Sequence, residues 1–300
     1  AKVNCCKRSV TGMSQKQKVM RFVVAIVLLI SISMGTVYAE TTQTGSVELI
    51  VSTILDLKLE SDYSLKIPML AGEGPLTSGN NLKLKALLGV SPVAATLALD
   101  AVLTPVAVME LSLGGSLGTG WDSIMNKKGL MISVDGTGAE TSASLNGAYY
   151  NGRAGAAFQF DTAAIFPSDW TSVVLRSYHE LSYQGFTFAD ANDYWEYELS
   201  GYRKNGFFYR SESILGYQMP IMLNMVAVML ETGRYHLFDS TSTDSIFLDL
   251  SIIGNLAFSD NLNLTIIGQF GNKHTDDTTR AVTGGSWAFK RVVGMLKYSF

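Results

Sequence analysis

The sequence is poor in cysteine, and its only two cysteines, Cys5 and Cys6, lie near its beginning. The chain beyond them therefore offers no disulfide, no thiolate metal site and no cysteine nucleophile. Because no cysteine follows the apolar run described below, a lipid-anchored lipoprotein is excluded as well. Histidine is also scarce, with His179, His236 and His274 at no spacing that suits zinc, which takes three or four ligands. We therefore expect no metal and no cofactor.

Charge is scarce too. Charged residues make up 16% of the chain and apolar residues 47%, against roughly 25% charged in an ordinary soluble domain. A soluble chain so poor in charge normally shows long buried helices or a continuous parallel-sheet pattern, and neither is present. The 28 glycines, 14 phenylalanines and 13 tyrosines instead favour strands and turns.

The first 39 residues have the three parts of a secretory signal. These are a basic start, an apolar run and small residues at the two positions that a signal peptidase reads: Lys16, Lys18 and Arg21, then Phe22 to Ile32, then Val37 and Ala39. The apolar run is shorter than the about 20 residues that span a membrane as a helix. We predict a cleaved signal over residues 1–39 and one mature domain over residues 40–300.

Removal of this signal makes the chain more acidic. The segment 1–39 holds six of the 23 basic residues and no acidic residue, which leaves 17 basic against 26 acidic side chains, a net charge of −9. A nucleic-acid partner would need a basic surface. We therefore expect no nucleic-acid partner.

The rest of the chain repeats one theme, a strand-length segment with apolar residues at every second position. Residues 246–258, 262–270 and 292–300 show it most clearly, and Val47 to Glu60 alternates in the same way. Side chains of a strand alternate between two faces, so one face is apolar and the other polar. Residues 82–88, 173–184 and 207–218 follow with more noise, whereas Met219 to Glu231 is apolar on both faces and receives no assignment. We count about twelve strands, within a range of ten to fourteen.

A membrane barrel and a soluble sandwich both alternate, and three features favour the barrel. The apolar rows run over about ten residues, which suits a tilted membrane span better than a sandwich strand. Aromatic residues gather near segment ends, as in the interfacial girdles of barrels: Tyr183, Tyr217, Tyr235, Trp287 and Tyr298. The chain also ends on an aromatic residue. We predict an all-β fold, a single transmembrane antiparallel β-barrel that closes because lipid cannot satisfy an open sheet edge.

The last strand carries a resemblance to a known family. Its alternate positions Val292, Leu296, Tyr298 and Phe300 resemble the C-terminal signature of bacterial outer-membrane β-barrels. This resemblance implies an outer-membrane location in a Gram-negative-type bacterium, contact with outer-membrane lipid, and recognition of the final strand by the barrel assembly machinery. Three internal stretches are similar to uncharacterised barrels of spirochaetes, which supply no catalytic motif: residues 118–121, 158–170 and 215–220.

Charged residues of both signs occupy the faces predicted to point into the lumen. They are Glu48, Asp56, Lys58, Lys83, Lys85, Glu110, Asp161, Arg176, Glu180, Arg210, Glu212, Asp249 and Lys297. In a wide barrel they would line water and set a preference among ions, and in a narrow one they would pair into a polar plug. The connection from Trp121 to Gly152 is interpreted as a long extracellular loop or as a further hairpin.

Catalytic residues are not expected. His179 shares the parity of the lipid-facing row, His236 ends a strand, and all three histidines are interpreted as separate surface residues. His274 with Asp276 and Asp277 could imitate a protease pair, but a solvated loop explains them more simply. The first hypothesis for function is a small porin-like channel for passive diffusion. The second is a non-conducting structural or surface-interaction barrel that acts through its loops, and an enzyme comes third.

Overall fold

The computed structural model describes residues 41–300, apart from residues 55, 122–129, 135–138, 143–146, 167–171, 192, 199–200 and 277. The predicted signal, residues 1–39, lies outside the described residues. Within the described part, no helix is long and apolar enough to cross a membrane. The helical content there is one 3-10 turn, Thr162–Ala164.

Fifteen strands are found among the described residues. In chain order they are β1 (Thr42–Ser52), β2 (Leu57–Pro68), β3 (Asn81–Val90), β4 (Ala94–Val106), β5 (Met109–Gly120), β6 (Leu130–Val134), β7 (Ala139–Ser142), β8 (Tyr149–Asp161), β9 (Ser172–Phe186), β10 (Tyr194–Tyr197), β11 (Gly206–Gln218), β12 (Leu223–Arg234), β13 (Phe247–Ala257), β14 (Leu262–Gly271) and β15 (Ala288–Ser299).

Twelve of these strands form one closed antiparallel barrel. The ring runs β1-β2-β3-β4-β5-β8-β9-β11-β12-β13-β14-β15 and returns to β1, while β6, β7 and β10 form a separate three-stranded sheet. The prediction of an all-β closed barrel of about twelve strands is therefore confirmed. The connection from Trp121 to Gly152 contains the β6–β7 hairpin, and the last residues of that stretch already belong to β8.

The alternating run from Val47 to Glu60 was expected to be one strand, and this expectation is wrong. The structure divides it between β1, which ends at Ser52, and β2, which begins at Leu57. Leu49 pairs with Leu59 in the antiparallel register, so odd residues face odd residues. Odd-numbered side chains therefore lie on the outer face in both strands, and the alternation in the sequence does not show where β1 ends and β2 begins.

The apolar rows lie on the outside of the ring. Leu113 of β5 is 68% exposed, Leu215 of β11 57% and Ile252 of β13 55%. In a sandwich these side chains would be buried between two sheets. Their exposure excludes the sandwich alternative and leaves an apolar outer surface in contact with whatever medium surrounds the barrel.

The inner face is less uniformly polar than the sequence pattern predicts. Ala227 of β12, Ile253 of β13 and Val293 of β15 point inward, opposite in parity to the exposed rows, and are buried. Because β12 also carries Val226 and Val228 on its outer face, it is apolar on both faces. This explains why Met219 to Glu231 showed no clean alternation.

The two ends of the barrel differ in the length of their connections. At the end where β1 begins and β15 finishes, called here the terminal end, the connections are residues 69–80, 107–108, 162–171, 219–222 and 258–261. At the opposite end, called the loop end, they are residues 53–56, 91–93, 121–148, 187–205, 235–246 and 272–287. The three longest connections, 121–148, 187–205 and 272–287, therefore all lie at the loop end.

The seam between the first and last strands closes on Phe300. Val292, Leu296 and Tyr298 lie on the outer face of β15, and Phe300 follows them. The N–H of Phe300 donates to the carbonyl of Gly45 at 2.9 Å, and the N–H of Gly45 donates back at 3.0 Å. The ring of Phe300 lies against Gly45, where an added Cβ would approach Phe300 Cε2 to 2.6 Å.

We predict that Gly45→Val lowers the free energy of unfolding relative to Gly294→Val by about 1 kcal/mol, because only the first valine displaces Phe300. Gly294 lies on the outer face of β15, and a Cβ there meets nothing within 4 Å. Both variants gain the same strand propensity. The difference between their free energies of unfolding therefore reports only the contact of Phe300 with Gly45 at the seam. Urea unfolding of the refolded protein, followed by gel mobility without heating, measures it. Equal midpoints for the two variants would show that Phe300 does not stabilise closure.

Candidate functional site in the lumen

Most of the predicted lumen charges are engaged in ion pairs. The pairs are Lys58 with Glu60 (3.0 Å) and Glu198 (3.3 Å), Arg176 with Glu110 (3.4 Å), Arg210 with Glu212 and with Glu231 (3.1 Å), Asp249 with Lys290, Asp56 with Arg291 (3.2 Å), and Lys297 with Asp62 (4.0 Å). Opposite charges therefore alternate around the inner wall instead of segregating by sign.

The remaining predicted residues are placed differently. Glu180 accepts a hydrogen bond from the hydroxyl of Tyr178 at 2.8 Å. Asp161 ends β8 and caps the 3-10 turn through the N–H of Ala163. Glu48, Lys83 and Lys85 form no ion pair within 4.0 Å among the described residues, and the two lysines lie on β3, towards the terminal end.

One ion pair of the inner wall joins two residues that the sequence analysis did not identify. Arg153 of β8 contacts Asp100 of β4 through two nitrogens, at 2.8 and 2.6 Å. Gly114 of β5 lies between them in the strand register, and a Cβ at Gly114 would collide with the Asp100 carboxylate. The missing side chain therefore leaves room for the pair to bridge a whole strand. Arg153 was missed because it adjoins a stretch interpreted as a loop.

The connection from β9 to β11 is anchored on the inner wall through β10. Trp195 is fully buried, and its indole N–H donates to Asn205 at 3.0 Å. The hydroxyl of Tyr197 donates to the carbonyl of Ala95 on β4 at 3.1 Å, and its ring stacks on Tyr149 of β8 at 4.5 Å. Sequence patterns did not show this arrangement, because these residues have neither the length nor the alternation of a barrel strand.

Glu198 links the connection between β9 and β11 to a strand on the other side of the barrel mouth. Its carboxylate reaches Lys58 on β2, which lies five strands away from β9 around the ring. Glu198 has a positive φ of 52°, a conformation that non-glycine residues rarely adopt outside turns. We call the residues Tyr194–Glu198 the strut, because they join one side of the lumen to the other.

The strut separates two cavities at the loop end. The larger has a volume of about 820 Å³ and the smaller about 260 Å³, and both are lined by Tyr149, Glu198 and Arg203. The charged residues that line the larger cavity are Arg153, Arg203, Arg210, Lys273, Lys290 and Arg291 with Asp56, Glu180, Glu198, Glu231 and Asp249. Six basic and five acidic residues leave neither sign dominant.

A buried His236–Asp244 pair ties three loop-end connections together. His236 is 6% exposed, and its Nδ1 donates to the Asp244 carboxylate. The N–H of Lys204 donates to His236 Nε2 at 2.9 Å, and the N–H of Val282 donates to Asp244 at 2.6 Å. The interpretation of His236 as a surface histidine is therefore wrong.

The environment of Asp244 favours its charged form. Burial raises the pKa of this carboxyl, but the hydrogen bonds from His236 and from the N–H of Val282 outweigh it. The net result is a pKa below the usual value of an aspartate. The carboxylate consequently stabilises the loop-end connections as long as it stays ionised.

The other two histidines lie elsewhere. His274 Nε2 donates to the carbonyl of Ser286 at 3.1 Å, and Asp276 accepts the N–H groups of Thr278 and Thr279. Asp277 lies outside the described residues. His179 lies on the outer face of β9, as its parity predicted. In the part of the chain that the structure covers, no three His, Cys, Asp or Glu side chains gather in a way that could hold a metal ion.

The fold and the lumen define a closed twelve-strand barrel with a constricted, charged interior. No protein-family model matches the sequence. No curated protein matches it either. Among solved structures, the KdgM porin is similar with 11% identity and a TM-score of 0.38, covering 86% of this chain and 99% of its own.

Two further solved structures show the same level of similarity. The NanC porin has 6% identity and a TM-score of 0.39, covering 85% of this chain and 98% of its own. LpxR from Salmonella typhimurium has 9% identity and a TM-score of 0.42, covering 85% of this chain and 99% of its own.

We predict that the connection 235–246 becomes sensitive to protease as the pH falls below about 4. The pKa of Asp244 is lowered in the folded protein, so its stabilisation is present above the unfolded value of about 3.9 and is lost as the pH falls through the lowered folded value. Pepsin digestion from about pH 5 to about pH 2, followed by mass spectrometry, measures this.

The matched variants for this experiment are Asp244→Asn and Asp260→Asn. The first leaves His236 without its carboxylate, which costs about 1–3 kcal/mol, so that cleavage should already be rapid at pH 5. Asp260 lies exposed in a connection at the terminal end, and its variant should cleave like the unmodified protein. Identical pH profiles for both variants would contradict the role given to Asp244.

Proposed function

We propose that this chain is an outer-membrane β-barrel whose constricted lumen lets ions and small polar solutes diffuse passively. The apolar outer belt supports the membrane location. On β11 the belt runs from Phe207 to Tyr217, both exposed. Ten residues of strand at about 3.3 Å each, tilted by about 40°, rise about 25 Å, the height of the apolar band in such barrels.

The two ends support an orientation. Outer-membrane barrels have short periplasmic turns and long extracellular loops. The loop end of this chain would therefore face outwards, with the strut at the outer mouth and Phe300 at the periplasmic side. The signal over residues 1–39 and the recognition of β15 by the assembly machinery remain predictions of the sequence.

The observation that carries the channel proposal is the pair of cavities beside the strut. The larger cavity, of about 820 Å³, is many times larger than the space that one water molecule needs, so hydrated ions can enter it. The charged side chains that line it form ion pairs along the wall. The wall is therefore polar but has no strong electrostatic potential of one sign. We therefore expect weak ion selectivity, with a modest preference for anions from Lys66, Lys83 and Lys85 deeper in the lumen.

A non-conducting barrel is the second candidate. The burial of Ala227, Ile253 and Val293 favours it, because these inward side chains are covered and not open to water. The many ion pairs would then form a polar plug, and the long loop-end connections would carry the function. Conductance separates the two candidates directly.

We predict that the refolded protein carries a steady current in planar bilayers and that Glu198→Gln raises its conductance about twofold, because the link from the strut to Lys58 is weakened. Glu73→Gln makes the same charge change at an exposed site of the terminal-end connection and should leave the conductance unchanged. Heat-modifiable gel migration verifies folding in each sample. Folded protein that never conducts would contradict the channel and support the second candidate.

A further inference from the structure

Six polar side chains interrupt the apolar outer belt at one place. We call them the polar patch: Ser177 and His179 of β9, Tyr209, Ser211 and Ser213 of β11, and Thr232 of β12. All six occupy the same alternate strand positions as the exposed apolar residues and therefore lie on the outer face. Isolated hydroxyls such as Ser61 occur on other outer faces, but the polar patch joins three adjacent strands.

The members of the polar patch are hydrogen-bonded to each other. Ser177 Oγ lies 3.2 Å from His179 Nε2, and His179 Nδ1 lies 2.8 Å from the hydroxyl of Tyr209. Ser177 and Ser213 are 3.4 Å apart, and Ser211 and Thr232 are 2.7 Å apart. These contacts hold the side chains flat against the barrel wall.

The polar patch lies within the belt, away from its edges. Ser177 and His179 are the sixth and eighth of the 15 residues of β9, with exposed Leu175 and Leu181 on either side. His179 lies four residues from the aromatic Tyr183, which corresponds to a depth of about 10 Å. The patch therefore faces acyl chains if the barrel is inserted as proposed above.

Polar side chains at that depth normally face protein, because acyl chains offer them no hydrogen bonds. A hydroxyl has one donor and two acceptor sites, so the bonds within the polar patch leave acceptor sites unused. Five of the six side chains are partly or fully exposed on the outside of the barrel, whereas Ser211 is buried. A second protein surface would satisfy them.

The strand beside the polar patch is suited to close approach. The outer face of β8 carries Gly152, Ala154 and Ala156, and an added Cβ at Gly152 meets nothing within 4 Å. Small residues let two membrane-embedded surfaces approach closely. The patch and this smooth strand together form a continuous face over β8, β9, β11 and β12.

We infer that this face is the contact surface of a homodimer, with the two-fold axis along the membrane normal. The inference rests on the proposed outer-membrane location. Hydroxyl and imidazole groups both donate and accept, so the polar patch complements its own rotated copy, as a two-fold interface requires. Four strands about 4.8 Å apart and a band about 25 Å high give about 500 Å² per copy, or about 1,000 Å² in total, which reaches the size of a specific interface.

A catalytic alternative is less consistent with the geometry. Ser177, His179 and Tyr209 are connected as a hydroxyl, a base and an orienting group. However, the backbone N–H groups around them are used in the sheet, so the backbone offers no oxyanion donors at this place. Lipid esters also lie at the membrane interface, well above the polar patch. Lipid hydrolysis is therefore an outcome that the test must detect.

The test uses single cysteines in a chain with no other cysteine beyond residue 6. Ser213→Cys places a thiol in the polar patch, and Leu59→Cys places one on exposed β2, across the ring. In vesicles under mild oxidation we expect about tenfold more disulfide-linked dimer for Ser213→Cys, because a bound copy raises the local thiol concentration. Equal cross-linking of both variants would overturn the inference.

A second measurement does not depend on cysteine chemistry. The triple variant Ser177→Leu, His179→Leu and Ser213→Leu gives the patch the apolar character of the belt, so the barrel should fold and remain heat-modifiable. Sedimentation in detergent should show a dimer for the unmodified protein and a monomer for the triple variant. An unmodified protein that sediments as a monomer overturns the inference, and lipid hydrolysis abolished by Ser177→Ala would then assign the patch to catalysis.

Flotation with vesicles separates the two levels of the proposal. Protein that floats and is heat-modifiable but monomeric overturns the dimer alone. Protein that stays soluble and does not float overturns the outer-membrane location, and the dimer with it.

Discussion

The closing pairing of β1 with β15 is the constraint on which the rest of the structure depends. Every barrel strand has a hydrogen-bonded neighbour on both sides, so the sheet has no open edge. In hydrocarbon such closure is required, because an unpaired backbone N–H or C=O finds no partner there. Closure also divides space into an inside and an outside. Because side chains alternate along each strand, one set of alternate residues then faces the outside and the other faces the lumen. The outer set forms the apolar rows, and the inner set forms the ion pairs.

A closed ring of twelve strands leaves limited room for long charged side chains, and the inner wall is arranged accordingly. Arg153 reaches Asp100 across Gly114, and Lys290 reaches Asp249 across Gly271, where an added Cβ would meet both partners. Charges that lie along the wall in this way keep the centre clearer than charges that extend into it. The strut, by contrast, belongs to a connection and not to a barrel strand, and it contacts β4 and β2 on the other side of the lumen.

The sequence predicted the features that depend on neighbouring residues. Alternation gave the outer rows, the approximate number of strands and the outward position of His179. It did not reveal the turn between β1 and β2, because antiparallel pairing of odd with odd residues preserves the alternation through it. Contacts such as Glu198 with Lys58 depend on the register of every strand between β2 and β9. The burial of His236 likewise depends on three connections meeting, which no local pattern encodes.

The odd or even position of a residue in its strand determines whether its side chain faces the lumen or the outside. The medium on that side determines whether a polar side chain finds hydrogen-bond partners there. In the lumen, water would satisfy the hydroxyls and the imidazole of the polar patch. On the outer face of a membrane-inserted barrel, they would need a partner that lipid does not supply. The same two strands, β9 and β11, present this patch outwards and hold the strut between them. A second copy packed on their outer face would restrict their motion, and with it the motion of the segment that crosses the mouth. Association in the membrane and constriction of the lumen would then depend on the same pair of strands.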